Sequence, residues 1–350
     1  MKESEIALKR MSVGDVLDYS IEIYKRNFKK LSILSLIFYI PFMLIYSLVI
    51  SYMSGDFINL SNNISNLDKS VENIPYMMIA YYVTILGMGL LKVVYSLTIK
   101  TVFDASVIKI VYSDALYQKE QDIKSVIKES FKKFKPLLVN RILYYLIIWG
   151  IGIGIYIVFV ILMLIIIFAS VFSLSSSGIT HSSPNPVLSV VLIVLIGILS
   201  IAALAAMVVV IGYFYAKFGM GTHSVVLENK SGADAITRCN EIGKKSFWNI
   251  SLPFILGTLL FFTIPTLMTY SAQMLAFTNK TLFVIGNTAV QLLSALINPY
   301  MTTLLTVIFI NQKIKSEGLD LEVKVDKMIA EATGTFAAAD HGDKSNDELQ

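Results

Sequence analysis

The chain has 350 residues, of which 55% are hydrophobic and only 15% charged, and its mean hydropathy is +0.68. A soluble domain carries about 25% charged residues, so this composition excludes an ordinary soluble protein and favours a membrane protein. The single cysteine, Cys239, excludes an intramolecular disulfide framework and a cysteine-based zinc site.

Six apolar runs follow one another along the chain, and each is long enough to cross a bilayer. Backbone groups in hydrocarbon must be hydrogen-bonded within the segment, so these runs predict helices, and they lack the alternation of barrel strands. A charged stretch of about 30 residues precedes the first run, so we expect this run to be a true span and not a signal peptide. The spans are predicted at roughly 31–53, 76–98, 137–173, 187–216, 248–276 and 282–310.

The distribution of lysine and arginine predicts the orientation of these spans. Seven lie in residues 1–30, eight in 99–136, five in 217–247 and five after Asn311. The opposite loops hold only Lys69 and Lys280. Both termini are therefore predicted to be cytoplasmic, and the lysine- and isoleucine-rich composition indicates a bacterial cytoplasmic membrane. The net charge of +4 is explained by this asymmetry facing anionic headgroups, and no nucleic-acid partner is expected.

A pattern of charged residues recurs at identical spacing before the first, third and fifth spans. It predicts three units at 1–112, 113–228 and 229–321, each an amphipathic helix followed by a hairpin of two spans, and then a cytoplasmic tail at 322–350 that is largely disordered at its end. Chance alignment of common membrane-flanking residues is the alternative. The recurring residues are Asp15, Glu22, Lys25 and Arg26; Asp122, Glu129, Lys132 and Lys133; and Asp234, Glu241, Lys244 and Lys245.

Each of the three short helices has an apolar face, an aspartate near its start and a basic pair at its end, which suits the helix dipole. The helices could lie in the membrane interface with the basic pairs on lipid phosphates, or they could pack together as a cytoplasmic collar. The candidate contacts with lipid or a protein partner are Lys25, Arg26, Lys132, Lys133, Lys244 and Lys245.

Polar side chains within the predicted spans are candidates for function, because charge inside a membrane is costly. Lys92 and Arg141 lie near the ends of the second and third spans, and Asn298 lies in the sixth. Lys92 is close enough to the boundary to reach it with its side chain, so structural roles for Lys92 and Arg141 are the simpler interpretation. The carboxylates lie almost all in cytoplasmic loops or the tail, and Asp104, just after the second span, is a partial exception.

Prolines and glycines predict irregularities within the spans. Pro41, Pro265 and Pro299 are expected to interrupt spans one, five and six, and such breaks sometimes frame transport sites. Gly150 and Gly154 form a GxxxG face that permits close helix contact.

No sequence motif for catalysis, metal binding or a cofactor was found. The chain lacks HExxH, GxSxG, Walker A and GxGxxG patterns. We therefore expect a protein that is not an enzyme and that carries no cofactor.

Three groups of short stretches, which together cover the chain to about Leu321, resemble a known family. They are Ser12–Asp18 with Tyr24–Phe28, Val225–Glu228 with Asp234–Ile236 and Phe247–Trp248, and Asn298–Pro299 with Lys313–Leu321. These stretches are similar to bacterial membrane proteins related to the glycerophosphoryl diester phosphodiesterase membrane domain, with Lys315 in place of an arginine of the family pattern. The resemblance implies six spans. Some relatives carry a soluble phosphodiesterase barrel, for which this chain leaves no room, so the resemblance implies a stand-alone membrane module without that activity.

Three functions fit these patterns. The first is a non-enzymatic scaffold or accessory subunit of a bacterial membrane complex. The second is a transporter or lipid-handling protein with Arg141, Lys92 and Asn298 near the path of an anionic amphiphile. The third is a module that binds a cytoplasmic partner through the three short helices. A cavity shared by Arg141 and Lys92 would favour the second, and separate positions at the lipid boundary would count against it. The oligomeric state is not predicted.

Overall fold

The computed structural model describes residues 10–62, 74–179, 186–244, 246–275 and 279–332, and every regular element in these ranges is a helix. In chain order they are α1 (Val13–Arg26), α2 (Phe28–Leu34), α3 (Ile40–Asn62), α4 (Ile74–Leu97), α5 (Ile99–Tyr117), α6 (Ile123–Lys132), α7 (Phe134–Ile179), α8 (Pro186–Gly219), α9 (Gly221–Glu228), α10 (Gly232–Ile242), α11 (Phe247–Met274), α12 (Lys280–Ile297), α13 (Pro299–Glu317) and α14 (Leu319–Ala332).

Six helical stretches within the described residues are long and apolar enough to cross a membrane, so the predicted all-α polytopic fold with six spans is confirmed. These stretches are Phe28–Asp56, Met78–Tyr117, Phe134–Ile165, Gly197–Glu228, Phe247–Met274 and Lys280–Glu317. The second, fourth and sixth stretches end later than predicted, because the helical stretch continues past charged residues at the end of the apolar run. The predicted boundary at residue 112 falls inside α5, and the predicted tail begins inside α14.

Two of the three prolines predicted to interrupt spans lie at irregular backbone. A π-helical segment, Ser35–Tyr39, precedes Pro41, and the N–H of Ile40 donates to Ser35 O. Proline cannot donate to the preceding turn, so widening of that turn accommodates its ring. Pro299 begins α13 after a break at Asn298. Pro265 does not end its span, because α11 continues through it.

The second span of each predicted unit ends in a break and continues as a separate helix. The breaks lie at Thr98 between α4 and α5, at Met220 between α8 and α9, and at Asn298 between α12 and α13. The helices after the breaks are strongly buried, with Phe103 and Phe309 fully enclosed. The three breaks therefore bring non-helical backbone to the base of the bundle.

The short helices α1, α6 and α10 surround these buried helices and form with them a layer that we call the collar (α1, α5, α6, α9, α10 and α13). The helix α6 packs on α5, α10 packs on α9, and α1 closes the ring by packing on α13. Val16 and Ile23 of α1 and Cys239 of α10 are buried against protein. These helices therefore pack on the protein with their apolar faces, and their contact with lipid headgroups remains a prediction. The internal repeat itself remains a prediction.

The predicted units contact one another through three pairs of spans, which we call joints: α3 with α12, α8 with α11, and α4 with α7. The joints differ in how closely their two helices pack. At the joint of α3 with α12, Asn287 Nδ2 donates to Ser51 Oγ at 2.6 Å. At the joint of α8 with α11, an added Cβ on Gly212 would lie 2.9 Å from Ile255 Cγ1. The third joint, between α4 and α7, is barely packed. The ring of spans is thus closed at two joints and open at one.

Candidate functional site

A cavity of about 680 Å³ lies in the middle of the bundle, where the three helix breaks meet the spans. Ligand-binding cavities commonly have volumes of about 300–1,000 Å³. Its lining comes from α4, α5, α7, α8, α9, α11 and α13, from Asn298 at the break before α13, and from Tyr39 of the π-helical segment. All three predicted units therefore contribute to the same cavity.

The collar end of the cavity holds an ion pair between Arg141 of α7 and Asp104 of α5. Arg141 Nε donates to Thr101 Oγ1 at 3.3 Å, and Thr302 Oγ1 of α13 donates to Asp104 Oδ1 at 3.1 Å. Both charged side chains are 11% exposed. A buried pair needs such additional hydrogen bonds to offset desolvation. This arrangement joins α5, α7 and α13 at one point.

Two more cations line the cavity. Lys100 of α5 is half-buried, and Lys92 of α4 is exposed with its Nζ 5.4 Å from the centroid of the Tyr46 ring. Among the described residues neither ammonium forms an ion pair with a carboxylate. Three cations and one carboxylate therefore leave the cavity with an excess of two positive charges, which favours an anionic occupant.

Two neutral polar groups of the cavity lie at or near the helix breaks. Asn298 lies at the break between α12 and α13 and lines the cavity. His223, two residues after the start of α9, also lines it, but its Nε2 is 3.0 Å from Thr306 Oγ1 and its ring stacks on Phe309 at 5.3 Å. The histidine is therefore held in place by the collar core.

The rest of the cavity wall is apolar and leads from the collar into the spans. Ile211 of α8 and Phe254, Ile255 and Phe262 of α11 form much of it. Further along, Val208 is 58% exposed, so the wall continues to the surface of the bundle. One end of the cavity is thus polar and cationic, and the other is suited to hydrocarbon.

The predicted basic pairs lie in the collar and do not line the cavity, and two of their side chains, Arg26 and Lys133, have partners within the protein. Arg26 Nε donates to Asp114 Oδ2 at 2.8 Å, and Lys133 Nζ donates to Val226 O at 2.6 Å. Burial lowers the pKa of Lys133, and the nearby Lys109 lowers it further. The side chains of Lys25, Lys132 and Lys244 are exposed, and Lys245 lies outside the described residues.

The structure brings together Lys92, Arg141 and Asn298, which the sequence had singled out within the spans. Sequence reasoning missed Lys100 and Thr302. Lys100 was assigned to a loop because it follows an apolar run, yet the helix continues through it. The signal that could have revealed it is the spacing of Lys100 and Asp104, four residues apart and therefore on one helix face.

Among the described residues, no group of three or more His, Cys, Asp or Glu side chains could hold a metal ion. Comparisons with protein families, with curated proteins and with solved structures found no match to this chain. The geometry of the cavity therefore carries the functional argument by itself.

Proposed function

We propose that this multi-pass membrane protein binds an anionic amphiphile in its central cavity, with the anionic group at the collar end and the hydrocarbon along the apolar wall. The single observation that carries the proposal is that Lys92, Lys100 and Arg141 line one cavity together with apolar side chains of α8 and α11. The lipid-handling hypothesis is thus favoured over the scaffold hypothesis, which required no shared cavity.

The distribution of polarity supports an amphiphile over a small water-soluble anion. A small hydrophilic ion makes no favourable contact with the apolar half of the cavity. An acyl or prenyl chain can lie there without the cost of about 0.8 kcal/mol per CH₂ group that exposure to water would carry. The anionic group in turn offsets the repulsion between lysine and arginine side chains in a region of low dielectric constant. Both halves of the cavity are therefore used by one ligand class.

The proposal assigns binding and movement of a lipid, and no chemical reaction. With both termini in the cytoplasm, as the loop charges predict, the collar end of the cavity lies at the cytoplasmic side of the membrane. The anionic group would then come from that leaflet. Relation to the phosphodiesterase-associated membrane domain remains a prediction that fits this role without requiring it.

The test is lipid retention by the purified protein in discs of phosphatidylcholine, with and without phosphatidylglycerol, measured by native mass spectrometry. We expect selective retention of the anionic lipid. Lys100→Gln should weaken it about tenfold, which corresponds to 1.4 kcal/mol. The matched control is Lys132→Gln, because Lys132 is exposed on α6 outside the cavity. Lys92→Gln provides a second cavity variant.

Equal retention by the Lys100→Gln and Lys132→Gln proteins would overturn the cavity as the lipid site. Recovery of a stoichiometric protein partner, without any enriched lipid, would return the preference to the scaffold hypothesis.

A further inference from the structure

The open joint between α4 and α7 is held by a hydrogen bond at its collar end. Ser96 Oγ and Tyr145 OH lie 2.5 Å apart and link α4 to α7 at the collar end. Beyond this hydrogen bond α4 and α7 are barely packed on each other, and Trp149, one turn from Tyr145 on α7, is exposed. The joint is therefore a wedge that is fixed at its collar end.

Glycines lie at matching depths on the two sides of this wedge. Gly89 is seven residues from Ser96, and Gly152 is seven residues from Tyr145. The two helices run in opposite directions, so both glycines lie about 10 Å beyond the hydrogen bond at a rise of about 1.5 Å per residue. Seven residues are close to two full turns, which places each glycine on the face that carries Ser96 or Tyr145.

The space around these glycines is empty. A Cβ added at Gly89 or Gly152 would meet no atom within 4 Å. At the closed joints, by contrast, a Cβ on Gly55 of α3 would lie 2.9 Å from Lys280 Cγ, and one on Gly212 is similarly obstructed. Glycines at the closed joints thus serve close packing, whereas those of the open joint border a gap.

The gap leads to the cationic cavity. Lys92 lies one turn from Ser96 on α4, and Arg141 lies one turn from Tyr145 on α7, so each flanks the linked end of the joint. Both line the cavity. A lipid entering between the helices would bring its anionic group to Lys92 first and would then reach Arg141 and Lys100.

We propose that the joint between α4 and α7 is the lateral opening through which a lipid from the bilayer reaches the cavity, and that its acyl chain lies between Gly89 and Gly152. The occupant is a chain of the same anionic lipid whose headgroup binds the cavity, so this inference rests on the proposed function. The missing Cβ atoms widen the joint where the chain passes.

The experiment fills the joint without touching the cavity. In the Gly89→Trp/Gly152→Trp protein, two large side chains occupy the empty space. The matched control is Gly87→Trp/Gly150→Trp, since Gly87 and Gly150 also have empty surroundings but lie on other faces of the same helices. Exchange of fluorescent phosphatidylglycerol between the protein in discs and phosphatidylcholine vesicles is measured for each protein.

We expect exchange at least about tenfold slower in the protein with a filled joint and unchanged in the control, as for other openings that gate access to a site. Equal exchange in the two double variants would overturn the opening. If the wild-type protein retains no anionic lipid at all, the proposed function fails instead. Disulfide-linked dimers of a Gly152→Cys protein would also overturn this proposal, since they would assign the face to a second copy of the chain.

Discussion

The ion pair between Arg141 and Asp104 makes the sharpest prediction about stability. Asp104→Asn preserves the size of the side chain but removes its charge, so the guanidinium of Arg141 loses its carboxylate while both positions are only 11% exposed. Leaving one member of a buried pair uncompensated costs about 3–5 kcal/mol. The hydrogen bond from Thr302, at 3.1 Å, is also weakened, because its acceptor loses its charge. We expect a loss of about 3 kcal/mol.

The assay is reversible unfolding in mixed micelles, with the fraction folded followed by fluorescence. Glu129→Gln serves as the control, because Glu129 forms an ion pair with Lys109 at 2.5 Å but is 55% exposed. Exposed pairs contribute about 1 kcal/mol or less. Arg141→Gln combined with Asp104→Asn should cost less than the sum of the two single changes, since the double variant leaves no uncompensated charge. Equal stability of the Asp104→Asn and Glu129→Gln proteins would refute the structural importance of the buried pair.

Two further predictions concern the collar. Burial raises the pKa of the Cys239 thiol to about 12, so a maleimide at about pH 8 should leave the folded protein unmodified. It should label the protein fully after unfolding in dodecyl sulfate, and rapid labelling of the folded protein would contradict the burial. At the start of α1, Ser12 Oγ accepts from the N–H of Asp15, and Asp15 Oδ2 accepts from the N–H of Ser12 at 2.9 Å. Ser12→Ala should therefore cost about 1 kcal/mol. The hydrogen bonds from Ser12 lower the pKa of Asp15, so its carboxylate stabilises the fold above the usual pKa of 3.8 and loses this effect as the pH falls through the lowered value. Unfolding at a series of acidic pH values should show the difference between the two proteins shrinking, and a constant difference would contradict the charged cap.

The spans were predictable because hydrocarbon leaves the backbone few alternatives to a helix. The runs at 248–276 and 187–216 match α11 and α8 to within a few residues. Asn298 was predicted as a break because Pro299 follows it. The equivalent breaks at Thr98 and Met220 have no proline, and only the packing of α5 and α9 within the collar reveals them.

The cavity was only partly predictable. Lys92 and Arg141 could be identified because charge is rare within apolar runs, but their meeting depends on which helices become neighbours. The sequence did not predict that Arg141 of α7 pairs with Asp104 of α5, because the two residues lie on different helices. The glycine pair Gly150 and Gly154 illustrates the opposite error. Its spacing predicted close helix contact, yet an added Cβ at either position meets no atom within 4 Å.

The charged side chains that line the cavity are concentrated beside the open joint. Lys92, Lys100 and Asp104 lie on α4 and α5, and Arg141 lies on α7, so all four charged groups of the cavity flank the same joint. The joint of α8 with α11 contributes much of the apolar wall, whereas the joint of α3 with α12 holds an ion pair between Asp56 and Lys280 and contributes no lining residue. A lipid entering at the open joint meets the cations of the cavity at once. An unpaired buried cation costs several kilocalories per mole. Placing the cations of the cavity beside one joint therefore confines this cost to the place where an anionic ligand offsets it.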